Sequence, residues 1–240
     1  MTLTEMAFTG DFQGAAEADR RAVETVGEAL AGSDRPLVIA SGTLALAVGR
    51  TATERDGHGP DPALPAWGVG PATRQATAEL VLSLASRGVR STVLRLPPTV
   101  HGDGDTGFVA TLVGIARDKG VSGYIGDGSN RWPAVHRLDA AHLFRLAVEQ
   151  APAGSTLHAV ADEGVAVRDI AAVVGRHLGV PVVAVAPEDA AGHFTWLAQF
   201  LAADSPASSA LTRELLGWKP TQAGLIDDLD QGHYFRTPAA

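Results

Sequence analysis

The chain has 240 residues, of which 45% are hydrophobic and 19% charged, enough apolar material for one large domain or two small ones. It carries 19 Lys and Arg against 27 Asp and Glu, a net charge of -8 with no local basic patch, which excludes a nucleic acid or an anionic membrane surface as partner. Cysteine is absent, which excludes disulfides, thiolate catalysis and cysteine-bearing zinc sites and fits a reducing, cytoplasmic setting.

Met1 to Asp11 contains Glu5 and Asp11 and no basic segment, so it does not read as a signal peptide. Ala15 to Leu30 places Ala15, Ala18, Ala22, Val23, Val26, Ala29 and Leu30 on one side of a helix, with Gly32 as its stop. Leu37 to Ala40 follows as a short, continuously apolar run, the pattern of a strand buried on both faces of a parallel sheet. The apolar stretch to Val48 is broken by Ser41, Gly42 and Thr43 and falls short of the roughly 20 residues that cross a bilayer, so a soluble protein without a membrane partner is expected.

Arg50 to Gly70 is rich in Gly, Pro and charge and reads as a long loop. A helix is expected over Thr73 to Arg87, stopped by Gly88, then an alternating strand over Ser91 to Leu96 that Pro97 and Pro98 terminate. Beyond Thr99 come a Gly and Asp-rich turn (Gly102 to Gly107), a helix over Phe108 to Lys119, and a short strand near Tyr124. A helix capped by Asp139 runs to Gln150, followed by a strand over Thr156 to Val160, a helix over Val167 to Leu178 and a strand over Val182 to Val185. Helices are expected near Asp189 to Ala202, Ser209 to Leu215 and Leu225 to Gln231. The first half has the rhythm of a doubly wound sheet; the second is α+β and looks like a smaller lobe.

Gly102, Gly104 and Gly107 spell G-x-G-x-x-G between a strand and a helix, but Asp103 and Asp105 would set two carboxylates beside a diphosphate, so the turn reads as a flexible acidic loop. The eight histidines show no i, i+4 pair, and no metal site is expected. Ser41, Gly42 and Thr43 end the presumed buried strand, where open α/β sheets bind ligands; they are read equally well as a turn that small hydroxyls cap. Gly126 to Trp132 is a polar turn in which Arg131 could grip an anionic group and Trp132 could supply a stacking wall; the plainer reading is a tight turn with Arg131 in solvent.

Four segments in this order resemble one family. They are Leu37 to Thr43 (LVIASGT), Val93 to Gly102 (VLRLPPTVHG), Tyr124 to Asp139 (YIGDGSNRWPAVHRLD) and Ala210 to Thr221 (ALTRELLGWKPT). Together they are similar to the extended short-chain dehydrogenase/reductases of the NAD-dependent epimerase/dehydratase type, over about Phe8 to Tyr234. The resemblance implies an α/β fold: a partial Rossmann-like, doubly wound parallel sheet (residues 1–100) with a smaller α+β substrate lobe (101–240), the two partly interleaved. It implies NAD or NADP as cofactor and a small-molecule substrate, a nucleotide sugar or similar hydroxyl or carbonyl compound. It also implies a homodimer formed through the helices Ala15 to Leu30 and Thr73 to Arg87.

Carried over position by position, the resemblance makes Thr43 the catalytic Ser/Thr and sets Ser41, Gly42, Arg74, Pro97 and Pro98 on the cofactor side. Thr99, His101, Arg131, Trp132 and His136 fall on the substrate side. Two departures stand out. The family's first strand and glycine-rich turn have no counterpart before Ala15, so a truncated chain, a late start or completion by a partner is expected. The family's Tyr and Lys fall at Gly70 and Arg74, so a surviving activity needs another acid or base, such as His58 or His101. The readings are an NAD(P)-dependent oxidoreductase or epimerase, and an inactive or incomplete relative that binds a metabolite or a protein partner.

Overall fold

In a computed structural model, residues 12–44, 46–57 and 69–236 are described. Helix α1 (Phe12–Leu30) leads to strand β1 (Pro36–Gly42); helix α2 (Val69–Ser83) and a 3-10 turn (Leu84–Arg87) lead to β2 (Arg90–Leu96). Gly88 stops this unit in the left-handed conformation, at φ 71°, as the sequence implies. Next come β3 (Thr99–His101), α3 (Phe108–Lys119), β4 (Ser122–Ile125), β5 (Arg131–His136), α4 (Arg137–Gln150), β6 (Ser155–His158) and β7 (Asp162–Ala166). The chain continues through α5 (Val167–Leu178), β8 (Val182–Val185), α6 (Ala190–Phe194), α7 (Ala198–Leu201), α8 (Ala210–Leu216) and α9 (Leu225–Asp230).

Among the described residues the strands form three small sheets. The first has the order β1-β2-β6, all parallel, in register from Pro36 opposite Arg90 to Gly42 opposite Leu96, and from Thr92 opposite Ser155 to Arg95 opposite His158. The second runs β3-β5-β7, with β3 parallel and β7 antiparallel to β5; the third pairs β4 with β8 in parallel. A parallel sheet needs cover on both faces, and the first sheet has it. Val23, Ala78, Val81 and Val93 pack beneath α1 and α2 on one face; Leu94, Leu143, Ala147 and Leu157 pack beneath α4 on the other. The lobe has its own core around Trp132, Ile170, Phe194, Leu197 and Leu225.

Several expectations change. The strand ending at Thr43 was expected to be an inner, buried member of its sheet. It is instead the edge strand, pairing with β2 alone among the described residues, and its side chains are half-buried or exposed. The strand before Pro97 does not alternate: Ser91 to Arg95 are all buried, because β2 lies between two neighbours and under helices on both faces. The helix after β5 begins two residues before Asp139 and is capped by His136, whose Nδ1 accepts from the Leu138 amide at 3.2 Å. The Asp139 carboxylate, buried in the first turn, accepts from the Thr221 and Gln222 amides at 3.0 Å each. The expected helix Asp189 to Ala202 is two short helices separated by a 3-10 turn, with Thr195 between them at φ 54°. Arg131 and Trp132 open β5 rather than closing a turn. The long loop from Arg50 is described only as far as Gly57, and His58 lies outside the described residues.

Candidate functional site at the carboxyl end of the first sheet

Thr43 follows β1 directly, and its amide donates to the Leu96 carbonyl of β2 at 2.9 Å. The bond fixes Thr43 beside Pro97, where both strands end. Its side chain is fully buried and its hydroxyl has no hydrogen-bond partner among the described residues. A buried, unbonded hydroxyl costs about 1–3 kcal/mol, so a ligand oxygen there would recover a real penalty. Gly42 is exposed and Ser41 half-buried, Pro97 buried and Pro98 half-buried, so these residues share one corner of the molecule.

Next to that corner the end of the sheet is filled by charge. Arg95, 1% exposed, donates to the Asp56 carbonyl at 2.7 Å and the Gly57 carbonyl at 3.2 Å, tying down the loop that follows β1. Burial lowers its pKa to about 10, with Asp56 and Glu54 opposing, so it stays charged. Asp56 is held well below the usual carboxylate range by its hydrogen bonds from Arg50. Glu54, also buried, accepts from the Thr212 amide at 2.7 Å and from its hydroxyl at 2.6 Å, joining this loop to α8. His158, at the end of β6, lies 3.4 Å from Arg95 and 2.9 Å from the Ser208 carbonyl. Sequence reading missed this network, whose partners come from opposite ends of the chain.

A second cluster joins β3 and β5 to the C-terminal segment. His101, fully buried, donates through Nδ1 to Asp228 Oδ2 at 2.8 Å; His233 Nε2 lies 3.6 Å from the same oxygen and His136 Nε2 4.0 Å from Oδ1. Burial pushes the His136 imidazole down, with Asp228 opposing. Gly102, at φ 134°, is required here, since a Cβ would meet His136 Nε2 at 2.9 Å. The Tyr234 hydroxyl donates to Asp105 Oδ2 at 2.8 Å and accepts from the Gly102 amide at 3.1 Å. Burial pushes that phenol up, so it stays protonated. Asp105 is therefore anchored, and the flexible reading of the Gly102 to Gly107 turn gives way to a fixed one. Its Oδ1 also takes the Gly107 amide at 2.6 Å, the group an anion would use.

The remaining expected residues are spread out. Thr99 is buried and donates to the Pro133 carbonyl. Arg131 is held by Asp204 through Nε at 3.1 Å and Nη2 at 3.0 Å, and Trp132 is fully buried against Phe108, with ring centroids 5.7 Å apart. The stacking wall proposed for Trp132 therefore has no exposed face. Arg74 donates to the Ala40 carbonyl at 3.1 Å and lies 3.6 Å from Asp19. His101 has no exposed surface, which gives it no direct path to a substrate. The structure thus brings Ser41, Gly42, Thr43, Pro97 and Pro98 together, gathers His101 with His136, and leaves Arg131 and Trp132 at the opposite end of β5 from His136.

Comparison with known proteins defines the class. DesIV, a dTDP-glucose 4,6-dehydratase from Streptomyces venezuelae solved with NAD and TYD, superposes with a TM-score of 0.71 at 16% identity, covering 97% of this chain and 69% of that one. MoeE5, solved with UDP-glucuronic acid and NAD, gives 0.66 at 21% identity, over 89% and 67%. UDP-glucuronic acid 4-epimerase from Bacillus cereus gives 0.65 at 15% identity, over 93% and 68%. The fold is that of the NAD-dependent epimerase/dehydratase type of short-chain dehydrogenase/reductase. No family model matches the chain. Two curated fungal proteins do: the uncharacterized protein C2A9.02 of Schizosaccharomyces pombe, 48% identical over 233 residues (95% of this chain, 76% of that protein), and YLL056C of Saccharomyces cerevisiae, 42% identical over 219 residues (91% and 71%). The chain belongs to the family of these two proteins.

NAD is the cofactor with which several of these neighbours were solved, and the described residues fit it only in part. Thr43 offers a hydroxyl to an oxygen-bearing ligand. A cradle for the pyrophosphate is not found among them, since the G-x-G-x-x-G turn already spends its Gly107 amide on Asp105.

Proposed function

We propose that this protein is an NAD(P)-dependent oxidoreductase or epimerase/dehydratase acting on a hydroxyl or carbonyl group of a nucleotide sugar or a similar small molecule. The carrying observation is the buried, unbonded hydroxyl of Thr43 at the carboxyl end of two parallel strands, in a fold shared with NAD-bound sugar-nucleotide enzymes. In this reading Thr43 orients the substrate oxygen. Ser41, Gly42, Pro97 and Pro98 shape the cofactor side of the same corner. Titration with NAD(H) and NADP(H) by calorimetry tests the reading: binding of one pair is expected, and no binding of either by the full chain overturns it. With a substrate in hand, Thr43→Ala should lower kcat at least about tenfold, the loss of one hydrogen bond aligned in the transition state; unchanged kinetics would remove Thr43 from the site.

A second reading, binding without turnover, is favoured by Gly70 and Arg74. Glycine has no proton to transfer, and the Arg74 guanidinium is already engaged by Ala40 and Asp19. Cofactor binding with no exchange of label between cofactor and any nucleotide sugar would select it.

A further inference from the structure

Arg131 is the cation that the sequence sets in the polar turn before β5, and its side chain is held from more than one direction. Asp204 accepts from its guanidinium as a fork, from Nε at 3.1 Å and Nη2 at 3.0 Å, and the same carboxylate takes the Arg131 backbone amide at 2.7 Å. The stem lies against Gly164 and Pro206. A Cβ at Gly164 would meet Arg131 Cβ at 3.1 Å and Pro206 Cβ at 3.2 Å, so the missing side chain there leaves room for the stem. An exposed ion pair is ordinarily worth little, because two long side chains must be held in one geometry. Here the backbone holds the acid: Asn130 Nδ2 donates to the Leu201 carbonyl at 2.7 Å and the Ala203 carbonyl at 3.2 Å, and the Ser205 amide donates to the Arg131 carbonyl at 2.9 Å. Hydrogen bonds from the Arg131 side chain hold the Asp204 carboxyl below its usual range, so it is ionised at neutral pH.

This pair borders the loop that leaves Thr43. Beside the Arg131 stem, the Pro206 carbonyl accepts from the Ala52 amide at 2.8 Å, and the Ser208 amide donates to the Ala52 carbonyl at 2.8 Å. The segment after Asp204 is thereby stitched to the loop between β1 and α2. The guanidiniums around that loop are engaged in the same way: Arg50 by Asp56, Arg95 by the Asp56 and Gly57 carbonyls, Arg74 by Ala40 and Asp19, and Arg213 by Ser209 and the Val160 carbonyl. A diphosphate is recognised by guanidinium forks or ammonium groups with donors to offer. With the Arg131 fork occupied, a diphosphate arriving there would meet the Asp204 carboxylate, a contact between like charges.

We infer that Asp204 is a specificity-determining residue: by occupying the Arg131 fork it turns anionic groups away, so the substrate is an uncharged hydroxyl or carbonyl compound and not a diphosphate-bearing sugar. The inference rests on the proposed NAD(P)-dependent reading and selects between the two substrate classes that reading contains. Discrimination of this kind works by repulsion, since the neutral Arg131 and Asp204 pair opposes an anionic ligand and does not oppose an uncharged one. One carboxylate carries it. Asp204→Asn keeps the size of the side chain and an oxygen for the Arg131 amide, removes the charge, and leaves the fork open to a phosphate.

Calorimetry of the full chain with uridine diphosphate (UDP) tests it. The titration needs no cofactor, so a chain that fails to bind NAD(H) overturns the proposed reaction and leaves this comparison readable. In the wild-type chain, Arg131→Ala should leave the response to UDP unchanged. Asp204→Asn should bind UDP at least about tenfold more tightly than the wild type, more weakly as salt is raised, and adding Arg131→Ala should abolish the gain, which separates this position from any cofactor site. Asp204→Ser serves the same comparison where the midpoint in urea shows that the asparagine variant folds poorly. Any of three results would overturn the inference: wild-type binding of UDP that Arg131→Ala weakens, folded Asp204 variants that gain no affinity, or turnover of UDP-glucose or UDP-glucuronic acid by the wild-type chain with NAD(P).

Discussion

The His158 ring can hold only one tautomer. Its Nδ1 faces the Ser208 carbonyl at 2.9 Å and must carry the proton, which leaves Nε2 bare toward Arg95. Burial, the largest cause, pulls its pKa from 6.5 to about 4, with Glu54 opposing and Arg95 assisting. As pH falls, the unfolded chain takes up this proton first. The stabilisation is therefore complete above about pH 6.5 and is lost progressively down to about pH 4. Between pH 7 and pH 5 this group should remove about 2 kcal/mol of stability. Urea denaturation at both values should show that fall reduced by a similar amount in His158→Gln; an identical fall would contradict the assignment. Arg95 acts beside it as a two-pronged donor. Arg95→Leu should cost about 3 kcal/mol by leaving the Asp56 and Gly57 carbonyls without their donor and removing the cation near the buried Glu54 carboxylate, and Arg95→Lys should fail to restore the loss, because an ammonium does not reproduce the fork. The midpoint in urea measures both.

Among the elements, the start of α4 organises the C-terminal segment. Asp139 receives the Thr221 and Gln222 amides, and its own carbonyl receives Trp218 Nε1 at 3.1 Å. Asp139→Ala should cost about 3 kcal/mol, since hydrogen bonds to a buried carboxylate are worth more than neutral ones, and should open the segment around Lys219 to Gln222 to proteolysis before global unfolding. Helices α3 and α5 and strand β8 were legible in the sequence with the bounds the structure gives, because Gly107, Gly120 and Gly179 punctuate them. Strand β5 was not. It is buried on both faces and so lacks alternation, and Pro133 together with the turn signals of Gly126 to Asn130 masked it. Thr43 was legible as a strand-end hydroxyl. Asp228 and Glu54 were not, because their partners His101 and Thr212 lie 127 and 158 residues away and leave no local pattern.

For the whole molecule, the resemblance in four short segments gave the class of fold, and the superpositions on NAD-dependent sugar-nucleotide enzymes agree with it. Periodicity could not place β1 within its sheet. A run such as Leu37 to Ala40 reads as an inner strand because its side chains are built for two covered faces, while among the described residues it has a neighbouring strand on one side only. Helix α1 buries Ala15, Ala16 and Val23 and exposes Ala22, Val26 and Ala29. Among the described residues no helix is long and apolar enough to cross a membrane.

The most direct measurement is residue-resolved amide hydrogen exchange along β1 in the free chain. The account predicts protection at Ile39, Ser41 and Thr43, whose amides bond β2, and exchange at least about a hundredfold faster at Val38, Ala40 and Gly42, whose amides face outward. Equal protection at odd and even positions would contradict it, since the strand would then have partners on both sides.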